Sequence, residues 1–240
     1  MSKIKPWDEY EIKARYIPTF LSSVPLVHFL LLFLGQHFWQ NFNTGISWML
    51  IANIGLSSIV MLALVQIQCG FSKHWVEEPV FGKGGINFPT TDMLLISTTL
   101  ISAERKEQIR NKITQLFGCT FSTIDEERNN PTNARLRVRD AVNRVRTVVG
   151  KGSMTLQYNI RYGFFRNFIG GIIWSCTGSL GCALLYGIDN NWKPMAFFSV
   201  FFILHILVFS FKKAILNKIS FTYADYLFND FLDYKGGKNG

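Results

Sequence analysis

Between Thr132 and Val149 the chain places Arg135, Arg137, Arg139, Arg144 and Arg146 within twelve residues, with only Asp140 opposing them. Wound at about 100 degrees per residue, the segment gathers Val138, Ala141, Val142, Val145, Val148 and Val149 on one apolar stripe. Arg135, Arg139 and Arg146 line one flank of that stripe, and Arg137 and Arg144 line the other. Guanidinium is the group suited to phosphate, because its planar fork makes two parallel hydrogen bonds and its faces stack on bases. Three readings of the helix stand side by side. It is a solvated face paired with acids such as Glu126 and Glu127, a contact for anionic lipid headgroups, or a site for a phosphate-rich ligand, either a nucleotide or single-stranded nucleic acid. The nearby rings of Tyr158, Tyr162, Phe164 and Phe165 could stack bases or anchor a membrane interface.

Other chemistry is sparse. His28, His37, His74 and His205 are scattered, and Cys69, Cys119, Cys176 and Cys182 show no metal-ligand spacing. The glycines of Phe81-Gly82-Lys83-Gly84-Gly85-Ile86-Asn87-Phe88-Pro89 mark a loop, but no Gly-Lys-Ser/Thr follows, which argues against nucleotide-triphosphate chemistry there. His74 with Glu77 and Glu78 is the one polar cluster that a lipid-modifying enzyme could use. No enzyme, metal or cofactor is expected.

The elements that carry these residues follow from how charge and apolar side chains separate. The 240 residues carry a net charge of +9, with 25 Lys+Arg against 16 Asp+Glu and 22 Phe, yet mean hydropathy is positive at +0.17. Disorder and a disulfide scaffold are excluded by the aromatic content and the four cysteines. From Tyr16 to Ser72 there is no Asp, Glu, Lys or Arg, and from Asn167 to Phe211 only Asp189 and Lys193 are charged. A span needs about 20 apolar residues, and each tract breaks near its middle at a polar, turn-rich link. The expectation is a mainly α, four-helix transmembrane protein made of two helical hairpins, with spans at 17–35, 46–67, 168–187 and 194–211. The domains are a leader (1–16), hairpin 1 (17–67), a basic helical insert (68–165), hairpin 2 (166–211) and a tail (212–240).

Orientation follows the Lys and Arg residues. The links at 36–45 and 188–193 hold one Lys between them, whereas the stretch 69–163 holds fourteen basic against nine acidic residues. Both termini and the insert are expected to be cytoplasmic, in a multi-pass plasma-membrane protein. The spans contain no carboxylate, Lys or Arg, which disfavours proton-coupled transport. Four short helices enclose little space, so a water path would require a homo-oligomer, with a tetramer as the candidate, around a central pore. Its candidate lining is Asn53 and Ser57 of the second span and Ser175 and Ser179 on the small face of the third. That small face serves equally for close packing within or between subunits. Inside the insert, Thr90 or Thr91 caps a helix over 92–100 and Ser102 caps another from Ala103 to Phe117, which stops at Gly118. Residues 123–132 form an acidic turn.

The pattern Phe88-Pro89-Thr90-Thr91-Asp92-Met93-Leu94-Leu95, then Glu126-Glu127-Arg128-Asn129-Asn130-Pro131, then Asn159-Ile160-Arg161-Tyr162-Gly163-Phe164-Phe165-Arg166-Asn167 resembles a family of small bacterial membrane proteins. The four-helix architecture with a basic insert is similar to membrane effectors of bacterial anti-phage defence, most nearly the channel subunit of the Hailong system. The resemblance implies a homo-oligomeric inner-membrane channel that depolarises the cell when open. It further implies that the cytoplasmic domain binds oligonucleotides made by a partner nucleotidyltransferase. The alternative is a structural or scaffolding membrane protein whose basic domain docks lipid headgroups or a partner protein.

Overall fold

The computed structural model describes residues 8–38 and 46–235, with side chains described for 8–33, 59–152 and 154–235. Every regular element among the described residues is helical. The chain forms two compact units, Met1–Val76 with Gly163–Lys213, and Glu77–Tyr162 with Ala214–Gly240. Each crossing of the unit boundary falls inside a helical segment.

The first unit opens with α1 (Glu9–Glu11), a π-helical segment (Ile12–Tyr16), α2 (Ile17–Phe38) and α3 (Ile46–Phe71), followed by a second π-helical segment (Ser72–Glu77). Among the described residues, four stretches are long and apolar enough to cross a membrane: Glu9–Phe33, Ile59–Phe81, Met154–Ile188 and Trp192–Ser210. The first and third begin well before the expected 17 and 168, because backbone hydrogen bonding continues through the polar flank at which hydropathy falls away. Asn53 and Ser57 lie in α3, outside the described side chains.

The second unit contains α4 (Glu78–Phe81), a single 3-10 turn (Lys83–Gly85), α5 (Pro89–Leu94), α6 (Ala103–Phe117), α7 (Ile124–Asn129) and α8 (Pro131–Val149). After α8 come α9 (Ser153–Gly170), α10 (Ile172–Ile188), α11 (Trp192–Ser210) and α12 (Lys212–Asp233). The start and stop of α6 follow the sequence: Ser102 Oγ accepts from the Arg105 amide, and Gly118 ends the helix in the left-handed conformation. The helix expected over 92–100 is instead α5, which starts at Pro89 and ends at Leu94. Pro89 supplies a preset first turn, and Leu95 turns to extended backbone. The acidic stretch is a helix, α7, closed by a capping box in which Thr123 accepts from the Glu126 amide and Glu126 accepts from the Thr123 amide.

Within the first unit α2 crosses α10 at close range. A Cβ on Gly178 would collide with the backbone of Pro25 and Leu26, so only glycine permits this approach. Ser175 Oγ donates to the Ser22 carbonyl at 2.7 Å, and Cys182 Sγ lies 3.7 Å from the Pro25 carbonyl. Nearby, Gln68 Nε2 donates to the Asn167 carbonyl and Asn167 Nδ2 to the Ala14 carbonyl, both at 2.6 Å. Ala14 sits in the first π segment, so the side chain of Asn167 meets the backbone where helical bonding is irregular. Farther along α2, His28 Nε2 lies 3.0 Å from the Tyr186 hydroxyl and its ring stacks on Phe198 of α11.

The second unit buries Leu94, Ile109, Ile113, Val138 and Val145 together with Leu216, Leu227, Phe228 and Phe231 of α12. The segment expected as a separate tail is therefore part of this core. Asp230 Oδ2 accepts from the amide and hydroxyl of Thr155. Lys112 Nζ donates to the Leu232 and Tyr234 carbonyls at the C-terminal end of α12, where a cation completes the last helical turn.

Candidate functional site

The arginine helix α8 is positioned by its cap and by its buried face. Asn130 Oδ1 accepts from the Asn133 amide at 3.1 Å, Pro131 sets the first turn, and Ala134, Val138, Ala141, Val142, Val145 and Val149 are buried. Five of the six residues of the expected stripe are thus core, while Val148 is half-buried and Ala134 extends the stripe toward the N-terminus. Burying this face fixes the direction of both arginine flanks.

On one flank Arg135 forms an ion pair with Asp92. Arg146 donates to Asn143 Oδ1 at 3.2 Å and reaches Thr90 Oγ1 at 3.5 Å. Its guanidinium lies over the rings of Phe88 and Tyr223, at 5.6 and 5.9 Å, and its Nε is buried without a hydrogen-bond partner. Arg139 sends Nε and Nη2 to Oδ1 of its neighbour Asp140, at 3.3 and 3.2 Å. Its remaining nitrogen, Nη1, stands 3.2 Å from the place a Cβ on Gly84 would occupy. The glycine turn thus lies against this flank. On the other flank Arg137 is 3.9 Å from Glu126, with both side chains about half exposed, and Arg144 donates to the Phe117 carbonyl at 3.1 Å.

A second polar centre stabilises the loop before α6. Glu127 accepts from the Ile96 and Ser97 amides at 2.9 and 3.0 Å and lies 3.9 Å from Arg110. Lys106 is buried and donates to the Leu95 and Thr98 carbonyls. Burial pushes the Lys106 amine and the Arg110 guanidinium below their usual pKa values, with the Glu127 carboxylate opposing the shift in each. A cavity of about 820 Å³ opens beside this loop and is lined by Ile96, Leu100, Ile101, Lys106, Glu107 and Arg110. Both of its cations are committed to backbone carbonyls.

The aromatic residues near the arginines are largely occupied. Tyr158 stacks on Tyr226 at 4.3 Å and carries Arg161 at 4.9 Å. Tyr162 is buried edge-on to Phe88, and Phe164 stacks on Phe168. Ser175 and Ser179, expected to line a pore, are fully buried. Ser175 faces α2 of the same chain, so the small face of α10 serves helix packing within the chain. Among the described residues no group of three His, Cys, Asp or Glu is placed to hold a metal ion.

Sequence reasoning missed Asp92, Thr90 and Tyr223 as neighbours of the arginines. A signal for the last was present: Leu216, Ser220, Tyr223, Leu227 and Phe231 recur at helical spacing, which marks the tail as a helix with a face to bury. No family model, no curated protein and no solved structure matches the chain.

Proposed function

We propose that this protein is a homo-oligomeric channel of the bacterial inner membrane, an effector of anti-phage defence in the manner of the Hailong channel subunit. In this reading the insert and both termini are cytoplasmic. The insert holds an oligonucleotide or nucleotide ligand made by a partner nucleotidyltransferase, and ligand occupancy sets whether the pore conducts. The observation that carries the reading is the flank formed by Arg135, Arg139 and Arg146 on α8, in a chain with four helices able to cross a bilayer. Because the small face of α10 is taken by α2, the pore wall is assigned to α3. The exposed face of α11, with Phe197, Val200, Ile203 and Leu207, suits lipid.

A second reading is favoured by one specific observation. Arg135, Arg137 and Arg144 each have a partner inside the protein, as a structural helix would. That reading is a scaffolding membrane protein whose basic surface docks lipid headgroups or another protein.

Planar-bilayer recording of the purified protein separates the two. A channel gives unitary currents whose open probability shifts when a short oligothymidylate is added on the insert side. Absence of conductance at any ligand concentration, together with a 260/280 nm absorbance ratio typical of nucleic-acid-free protein, would favour the scaffold.

A further inference from the structure

We infer that the glycine turn at Lys83–Gly84 and the Arg139 flank of α8 together form a phosphate-binding cradle, so that the anion site includes a loop which the arginine count alone leaves out. The inference deepens the ligand-binding reading and rests on it for the identity of the natural ligand, though the chemistry it names is that of a phosphate group.

Gly82, Gly84 and Gly85 have φ of 72, 67 and 68 degrees, and Lys83 and Gly84 lie within one tight 3-10 turn. Successive amides in such a turn point toward a common side, a concave arrangement that binds anions. The turn closes through other groups: the Gly85 amide donates to the Gly82 carbonyl at 3.0 Å and the Asn87 amide to the Phe81 carbonyl at 2.8 Å. Neither of these bonds uses the amides of Lys83 and Gly84. Lys83 and Gly84 are both exposed.

Arg139 supplies the facing wall. Its Nη1 is the nitrogen left over from the Asp140 contact, and it stands over Gly84 where any larger residue would crowd it. Asp140 is 67% exposed and Arg139 31%, so their pairing is a surface contact of small worth that a phosphate can displace. Arg146, with its buried and unpartnered Nε, lies two turns farther along α8, about 10 Å by helix rise. A ligand bearing two or more phosphates would span both. Of the five arginines, Arg139 and Arg146 then hold the ligand, while Arg135, tied to Asp92, fixes α5 against α8.

The test uses the full-length protein in neutral-lipid nanodiscs, titrated by calorimetry with inorganic tripolyphosphate and with a short oligothymidylate at several salt concentrations. For both probes, the paired substitution Lys83→Gln/Arg139→Gln should weaken binding at least about tenfold and flatten the log-salt slope by about two, one for each cation removed from the phosphates. Arg137→Gln/Arg144→Gln, on the opposite flank, should leave affinity within about twofold. All four side chains reach the surface, and unchanged thermal unfolding would verify that the variants fold.

Equal weakening by both pairs would mean a diffuse positive field and overturn the cradle, as would unchanged binding in Lys83→Gln/Arg139→Gln or no tripolyphosphate binding by the parent protein. Tripolyphosphate binding that needs Lys83 and Arg139, without oligothymidylate binding, supports the cradle and overturns the nucleic-acid reading. Oligothymidylate binding that ignores both residues does the reverse. In nanodiscs containing phosphatidylglycerol, undiminished affinity supports a soluble ligand. A fall in affinity there would assign the phosphate to a lipid headgroup and overturn the soluble one.

Discussion

Glu127 shows how much a single buried carboxylate can organise. It satisfies two backbone amides of the loop before α6 and faces Arg110, so its removal strands three groups at once. Glu127→Ala should lower unfolding stability by about 3 kcal/mol or more, the scale for breaking a buried pair. Circular dichroism during denaturant unfolding would measure the loss. Hydrogen exchange should locate the first opening at Ile96 and Ser97, and unchanged protection there would refute the assignment. The sequence shows Glu127 only as one of three consecutive acids after Ile124. Which of Asp125, Glu126 and Glu127 turns inward depends on the phase of α7 against α8, and that phase is set by packing. The arginines divide in the same way. Their presence and flanks can be read from spacing, but the partners that distinguish Arg135 from Arg139 come from α5 and the glycine turn, many residues away.

Among the elements, α6 and α8 are legible almost to the residue, because Ser102, Gly118, Asn130 and Pro131 are local signals that act through the backbone beside them. The departure at residues 92–100 has a local cause as well, since Pro89 rather than Thr90 or Thr91 begins the helix. The role of α10 required tertiary structure. A small-residue face states that something approaches closely, and only the crossing with α2 identifies the neighbour. Gly178→Leu should therefore drive α2 and α10 apart and destabilise the detergent-solubilised protein by at least about 1–3 kcal/mol, the usual range for overpacking. Gly187→Leu serves as the control, because a Cβ there would meet only Met195 Sδ, at 3.4 Å. Thermal unfolding should separate the two variants, and equal melting temperatures would show that the crossing tolerates expansion.

For the whole molecule, the distribution of Lys and Arg predicts that the insert faces the cytoplasm and the 188–193 link faces outward. Single cysteines in a background lacking the native four give a direct readout. Asn190→Cys should react with a membrane-impermeant maleimide in intact cells, and Lys83→Cys only after the membrane is opened. The reverse pattern would invert the topology and remove the insert from any cytoplasmic ligand. The sequence by itself determined the division into helices apolar enough to cross a membrane and a basic insert, because hydropathy and charge act additively along the chain and need no partner to be read. Only the tertiary structure decided that the C-terminal segment completes the insert's core, that Ser175 and Ser179 are buried in packing within the chain, and that a glycine turn stands against Arg139. Each depends on contacts between residues far apart in the chain, and such contacts are fixed by the shape of the packed interior.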